Sequence, residues 1–429
     1  MRIHFMGIGG SGMSAVAQIA KSRGYQVTGC DQSADTPYID KVKNAGIQVY
    51  SGHSPDHLKD IDLLCVTPAV FYQSGNHPEF TSAKSSLNVL SWQDFMGAYL
   101  HQNKFLICIA GTHGKSTTTA LAGLLLESAG FDPTVEVGAT VREWHNNVRI
   151  GQAKYFISEA DEFYNNFRTY IPDILILTLV EYDHPEYFGT YEKMLDTYLD
   201  LAKRLKPGGT IIYNSDSPGC HRLIPKINSL KINLIPYSLS DFPHDLILPQ
   251  PGNHSRLNAV AILKLSQVLK ISQSKAYSVL NNFKGLSRRL ELLGEKNGIR
   301  VFDDYANHPS SFAASIQAVK EKYPDQKILA VIEPHTFSRL KILSDQLPTA
   351  LIAADEVIVS KIYASRETDP GNFTGQDIVT AIRHPNAKYI PEFSDIVSYI
   401  INHKSSFGII LVMGSGDSYK LSRRIFESL

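Results

Sequence analysis

Cysteine is scarce in this chain. The four in 429 residues, Cys30, Cys65, Cys108 and Cys220, lie far apart and form no CxxC pair. That spacing excludes a disulfide scaffold and speaks against a structural zinc site. Net charge is also absent: Lys+Arg and Asp+Glu number 42 each. No basic field recruits nucleic acid or anionic lipid, so any phosphate-bearing ligand must be held by local sites. No apolar run reaches the ~18 residues that a membrane span needs. The opening Met1-Arg2-Ile3-His4-Phe5-Met6-Gly7 enters a strand-like run without the apolar region and cleavage site of a signal peptide. The expectation is a cytoplasmic protein, monomer or homodimer, with small-molecule partners.

What is present is alternation. Short apolar runs alternate with longer amphipathic stretches, the pattern of parallel α/β sheets. Strands are expected at 3–6, 26–28, 47–50 and 63–67, then at 105–110, 155–158, 174–178 and 210–213. A third set is expected at 300–302, 328–332, 356–359 and 408–413. The reading is three consecutive Rossmann-like domains: 1–100, a central P-loop domain at 101–289, and 290–429. Trp92-Gln93-Asp94 and the polar stretch His101-Gln102-Asn103-Lys104 are read as a linker between the first two.

The most informative segment is Ala110-Gly111-Thr112-His113-Gly114-Lys115-Ser116-Thr117, between the apolar run 105–110 and a helical stretch that Gly130 ends. Glycines let the backbone curl round phosphate oxygens, the helix N-terminus adds partial positive charge, and Lys115 reaches the β- and γ-phosphates. Ser116 or Thr117 is placed to ligate Mg²⁺. The loop lacks the first glycine of GxxxxGK[ST]. Glu159 ends an apparent strand and is followed by Asp161 and Glu162; carboxylates there suit oxygen-preferring Mg²⁺. At the N-terminus, Gly7, Gly9, Gly10, Ser11 and Gly12 form a GxGxxG turn, with Asp31 some way on. By themselves these residues allow an NAD site, a UDP site or a tight structural turn.

The GTHGKST loop resembles that of the Mur ligases and their folylpolyglutamate synthetase relatives. Glu159-Ala160-Asp161-Glu162, Arg288-Arg289, Asp303-Asp304-Tyr305 with His308-Pro309, and Pro334-His335-Thr336-Phe337-Ser338-Arg339 match that family in the same order. The resemblance covers essentially the whole chain. It implies an ATP- and Mg²⁺-dependent ligase that converts a UDP-linked carboxylic acid into an acyl-phosphate and couples it to an amine. It also implies that the N-terminal glycine turn takes the uridine diphosphate rather than NAD.

Further roles follow from the same resemblance. Glu159 and His184 hold magnesium, and Arg288 or Arg289 reaches the ATP phosphates. His254 and Asn258 contact the adenine, and Asp304 meets the ribose or a metal ion. His308, His335 and Arg339 serve the amino acid, the guanidinium of Arg339 being suited to grip a carboxylate. Lys361 and Arg366-Glu367 lie in another segment near the substrate. No carbamylated lysine is expected, since the corresponding place falls near Tyr198 and Lys203 fits the spacing poorly.

Most segments are similar to the members that join L-alanine to UDP-N-acetylmuramate. Val180–Phe188 leans towards members that add a whole peptide to the same nucleotide sugar. Leu179, Ser255 and Asn307 depart from the family pattern and leave open a weakened homologue that binds nucleotide sugar.

Overall fold

The computed structural model describes residues 1–33, 36–68, 70, 77–365 and 367–429. It is α/β throughout, with three sheets in series along the chain. The first contains β1 (Arg2–Met6), β2 (Gln26–Asp31), β3 (Gln48–Ser51), β4 (Leu63–Val66) and β5 (Asn88–Ser91), in the order β3-β2-β1-β4-β5. All its pairs are parallel. Alternation along β1 sends Ile3 and Phe5 into one core and Met6 into another, with Cys30, Leu64 and Val66. His4 shares the Met6 side by the same period.

The second sheet runs β12-β11-β10-β6-β9-β7-β8. Its strands are β6 (Phe105–Ala110), β7 (Thr134–Val141), β8 (Asn146–Arg149), β9 (Tyr155–Ala160), β10 (Ile174–Leu177), β11 (Thr210–Asn214) and β12 (Asn233–Tyr237). Only β8 is antiparallel. The centre is fully apolar, as a sheet covered on both faces demands: β6 lies between β9 and β10, with Ala110 level with Ala160 and Leu177. The turn after β6 therefore leaves at the carboxyl edge of the sheet, where open α/β sheets bind ligands.

Between the two expected linker segments the chain forms a buried seam, and 101–104 is a turn with Gln102 and Asn103 exposed. Phe95, Met96 and Leu100 are buried on a short helical stretch and join one core containing Ile3 and Phe5 from the first sheet and Leu106 and Phe156 from the second. The first two sheets, with residues 257–284, accordingly form one compact unit.

The second unit comprises residues 184–186, 248–256 and 285–429. Its sheet is ordered β13-β14-β18-β15-β16-β17. These strands are β13 (Glu291–Lys296), β14 (Ile299–Asp304), β15 (Ile328–Ile332), β16 (Glu356–Val359), β17 (Ala387–Tyr389) and β18 (Ile409–Met413), with β13 alone antiparallel. The carboxyl ends of β14, β15 and β18 meet: Gly414 N–H donates to the Asp304 carbonyl (3.0 Å), and Glu333 N–H to that of Met413 (2.8 Å). No helix among the described residues is long and apolar enough to cross a membrane.

Candidate active site

The helix after β6 begins at Lys115 and runs to Ser128. Gly111 and Gly114 carry φ of +135° and +86°, a region costly to other residues. A Cβ on Gly111 would lie 2.2 Å from Thr178 Oγ1, and one on Gly114 would lie 2.6 Å from Asn258 Oδ1. The sequence-predicted Asn258 thus packs directly against the loop. Thr112 N–H donates to the Leu179 carbonyl (2.6 Å) and Thr112 Oγ1 to that of Glu181 (2.8 Å). His113 Nε2 sits 2.6 Å from Glu181 Oε1, and Thr178 Oγ1 donates to the His113 carbonyl (2.6 Å). The loop is therefore clamped on the segment following β10.

Lys115 Nζ donates to the Gly111 carbonyl (2.6 Å) and to Glu162 Oε2 (2.9 Å), with Asp161 Oδ1 at 3.9 Å. Burial alone would pull the ammonium down, but Glu162 and then Asp161 outweigh it and hold Lys115 above its ordinary value. Burial, followed by the Glu162 charge, pushes the Tyr198 phenol well up. Tyr198 thus stands at the place where a carbamylated lysine was considered. Lys203 lies at the surface in a 3.2 Å pair with Asp200.

Behind the lysine is a carboxylate relay. Glu159 accepts from Ser116 Oγ (2.9 Å) and from Gly138 N–H (2.7 Å). Glu136 on β7 accepts from Glu159 N–H (3.2 Å) and Ser158 Oγ (3.3 Å). Burial and then the Glu159 charge push Glu136 well above the usual carboxylate range. Glu159 faces the loop through its bond from Ser116 Oγ. Thr117 is half-buried on the first turn of the helix.

The N-terminal turn is tightly braced. Gly10 N–H donates to the Gly7 carbonyl (3.2 Å), and Gly7 N–H to that of Cys30 (2.8 Å). Asp31 accepts from Gly9 N–H (2.8 Å) and Ser33 N–H (3.0 Å). Its carboxylate holds the turn's own backbone, so its first duty is to shape that turn. Ser11 opens the helix Ser11–Ser22, and its carbonyl accepts from Asn147 Nδ2 on β8. Gly12 faces the Trp92 ring so closely that a Cβ would lie 2.5 Å from it.

In the second unit, Arg288 is engaged locally. Its Nη2 donates to the Gly414 carbonyl (2.7 Å) and Ser418 Oγ (3.1 Å), and its guanidinium stacks on Tyr305 and Tyr419. These contacts place Arg288 across the sheet's carboxyl edge. Arg289 rests over Tyr305 at 5.0 Å. Asp304 accepts from Ala306 N–H (3.0 Å) and Ser315 Oγ (2.7 Å), so each of its oxygens braces the turn. Its neighbour Asp303 is pushed up to about 7 by burial, against the opposing charge of Arg288.

His308 caps the helix Pro309–Lys322, its Nδ1 lying 2.8 Å from Ser310 Oγ. His335 stacks on Tyr363. Arg339 is buried, with Nη2 3.3 Å from His184 Nδ1, and His184 is also 3.2 Å from Glu186. The structure therefore brings His184 to Arg339 and groups it in the second unit, whereas Glu159 belongs to the first.

His254 lies against Gly252, and Ser255 Oγ donates to the Pro251 carbonyl. Glu367 accepts from Phe337 and Ser338 N–H and so caps the Arg339 helix; Lys361 is exposed, and Arg366 lies outside the described residues. Glu333 grips the Gly414–Asp417 turn through the N–H groups of Gly416, Asp417 and Ser418.

Glu162, expected only as one of a carboxylate cluster suited to Mg²⁺, is the partner of Lys115, and Glu136 is a site residue that the sequence reading does not include. The available signal for Glu136 was an acid in the middle of an apolar strand.

Comparison with known proteins agrees with this geometry. Three family models match in order: Mur ligase family, catalytic domain, over residues 2–103; Mur ligase middle domain over 109–298; and Mur ligase, glutamate ligase domain over 288–416. The UDP-N-acetylmuramate–L-alanine ligase of Clostridium acetobutylicum is 32% identical over 98% of this chain and 96% of its own. That of Caldicellulosiruptor bescii is 33% identical over 97% and 96%. Among solved structures, the UDP-N-acetylmuramate–alanine ligase of Thermotoga maritima superposes with a TM-score of 0.81 at 25% identity, covering 100% of this chain and 98% of that one. The murein peptide ligase of Psychrobacter arcticus shares the fold, with a TM-score of 0.72 at 22% identity over 100% and 98%. With its strand order, its lysine loop and full-length likeness all in agreement, the chain belongs to the Mur ligase family, a family of ATP-dependent amide-forming ligases.

Proposed function

We propose that this chain joins L-alanine to the muramate carboxylate of UDP-N-acetylmuramate, a step in making peptidoglycan precursors. The observation that carries the proposal is the shared name of the full-length relatives at about one-third identity. The geometry of the Lys115 loop supports the chemistry.

In this reading the γ-phosphoryl of ATP passes to the muramate carboxylate. A new P–O bond forms as the bond to the β-phosphate bridge breaks. The amine of L-alanine then attacks the acyl carbon, and the tetrahedral adduct collapses with loss of phosphate and a proton. No protein nucleophile is needed. Lys115 and the N-terminus of the helix Lys115–Ser128 stabilise charge on the transferring group. Glu162 and Asp161 keep Lys115 protonated throughout.

The oxygens of Ser116 and Glu159, 2.9 Å apart, form a hard donor set that fits Mg²⁺. Bound there, the ion would neutralise charge between the phosphates. The Gly138 N–H fixes the second oxygen of Glu159 and so points the first towards Ser116. Arg339, buried on its helix beside His184, is the candidate grip for the alanine carboxylate. Residues 1–100 would take the UDP moiety on the Gly7–Gly12 turn, 101–289 ATP, and 290–429 the amino acid.

The test is phosphate release from ATP with UDP-N-acetylmuramate and, in turn, L-alanine, glycine, L-serine and short peptides. Release with L-alanine at a kcat/KM at least tenfold above the others supports the proposal. Release with peptides alone would identify a peptide-adding ligase, and none with any amine would leave a nucleotide-sugar binder.

A further inference from the structure

The face of the first sheet that carries Met6 also holds a polar cluster that ligation does not use. It lies wholly within the first unit. His4 on β1, Cys30 at the end of β2, His57 in the 3₁₀ turn Pro55–Leu58 and Glu79 in the helix Pro78–Ser86 each present one donor atom, and these atoms all lie within 4.8 Å of one another. Several separations are much shorter. Glu79 Oε1 is 3.0 Å from His4 Nε2, 3.4 Å from Cys30 Sγ and 3.5 Å from His57 Nδ1. His53 Nδ1 stands beside them, 3.0 Å from Cys30 Sγ and 3.5 Å from Glu79 Oε2.

We propose that His4, Cys30, His57 and Glu79 form a binding site for a divalent ion of the zinc class, with His53 as a reserve ligand. Four donors of the types N, S, N and O make up a tetrahedral set that prefers Zn²⁺ to Mg²⁺ or Ca²⁺. Around such an ion the donor atoms stand roughly 3.3–3.8 Å apart, given metal–ligand bonds of about 2.0–2.3 Å. The Glu79 separations are already close to that range, and the widest ones need to close by about 1 Å.

The surroundings are those of a metal site. His4 Nδ1 bonds Thr28 Oγ1 at 2.8 Å, which leaves Nε2 as the atom facing the cluster. A second-sphere bond on the far nitrogen is how ligating imidazoles are oriented. The His57 ring lies flat on Tyr50, with centroids 4.6 Å apart and planes 11° from parallel. Ser54 N–H holds the other Glu79 oxygen at 3.1 Å, leaving Oε1 for the ion.

Charge favours the same conclusion. Glu79 and His4 are fully buried, where an isolated charge is costly. A dication with one thiolate and one carboxylate sums to zero. Binding expels the Cys30 thiol proton to solvent, so the metal is expected to bind more tightly as pH rises. Sequence spacing spoke against a structural zinc site because the donors come from four separate segments; the sheet brings them together. An ion here would clip β1, β2, the Pro55–Leu58 turn and the Pro78–Ser86 helix.

The test uses the full-length chain, stripped with a chelator, without nucleotide, and titrated with Co²⁺. The expected result is one equivalent bound with the intense visible bands of four-coordinate cobalt and a near-ultraviolet thiolate-to-cobalt band. Zn²⁺ should displace it and raise Tm. Cys30→Ser should lose the near-ultraviolet band, and His57→Ala should weaken binding at least tenfold. His57 lies near the surface, so this second variant keeps the test readable should Cys30→Ser fail to fold. Only weak six-coordinate bands, or bands unchanged in either folded variant, would overturn the proposal and leave a buried Glu79–histidine hydrogen-bond network. ATP-dependent phosphate release is a separate readout, so failure here leaves the ligase reading standing.

Discussion

Replacing Lys115 by methionine removes a charge whose partner cannot escape to water. The Glu162 side chain is 1% exposed and its oxygen is 2.9 Å from Nζ. At that distance, with an effective dielectric of about 20, the gross attraction is about 6 kcal/mol. Desolvation of both ions offsets much of it. Even so, Lys115 is held above its ordinary value despite burial, so attraction wins at the lysine. Breaking a buried pair from one side costs about 3–5 kcal/mol because the remaining ion is stranded.

Lys115→Met should therefore lower Tm by on the order of 10 °C, and adding Glu162→Gln should restore more than half of that loss. The coupling energy of the double-mutant cycle should reach at least ~2 kcal/mol. Scanning calorimetry of the four proteins measures it. ATP at a hundredfold excess over its Kd should stabilise the parent by about 2.7 kcal/mol and the double variant hardly at all. Because the lysine is raised, its contribution is complete below the unfolded pKa and is lost only as pH rises through the folded value. The coupling should therefore stay flat from about pH 6 to 9. Single changes that add within ~0.5 kcal/mol would remove Glu162 as the partner, and undiminished ATP protection of the double variant would remove Lys115 from the phosphate site.

Glu136 titrates with the opposite consequence. Its folded pKa is raised, so it holds a proton that the unfolded chain has lost. Stability therefore falls by up to about 1.4 kcal/mol per pH unit above the unfolded value near 4.5. Glu136→Gln should abolish that part of the slope, seen as a smaller Tm decrease between pH 5 and 8 than in the parent; identical slopes would contradict the assignment. Asp31→Ala should free the Gly9 N–H and loosen the N-terminal turn. The expected outcome in steady-state kinetics is a several-fold rise in KM for UDP-N-acetylmuramate with KM for ATP unchanged, and a rise in both would show that Asp31 acts on the whole unit.

What the sequence made legible was whatever is contiguous. The lysine loop occupies one strand–turn–helix, and its glycines, lysine and hydroxyls are neighbours along the chain, so local chemistry reveals them. The central strands are equally plain because a sheet covered on both faces needs unbroken apolar runs. Legibility fails where a partner arrives by strand pairing. Glu136 meets Glu159 because β7 lies beside β9 with Glu136 level with Ser158, a register no local pattern encodes. The strand β7 was itself missed for a related reason. Its run is broken by Gly138, and the structure shows why a side chain is missing there: a Cβ would lie 3.0 Å from Glu159 Oε2. The glycine that spoils the strand pattern gives the carboxylate room to reach its N–H.

The same logic explains the two residues whose surroundings moved furthest from expectation. Arg288 and Asp304 sit in segments that match the family, and matching type and place suggested contact with ATP. In the structure each is engaged with the carboxyl edge of its own sheet, Arg288 with Gly414 and Ser418, Asp304 with Ala306 and Ser315. An arginine at φ +59° whose guanidinium stacks on two tyrosine rings is anchored on its own sheet's edge. A motif identifies which residues a site needs nearby; hydrogen-bond partners determine whether a side chain faces the ligand or builds the wall behind it.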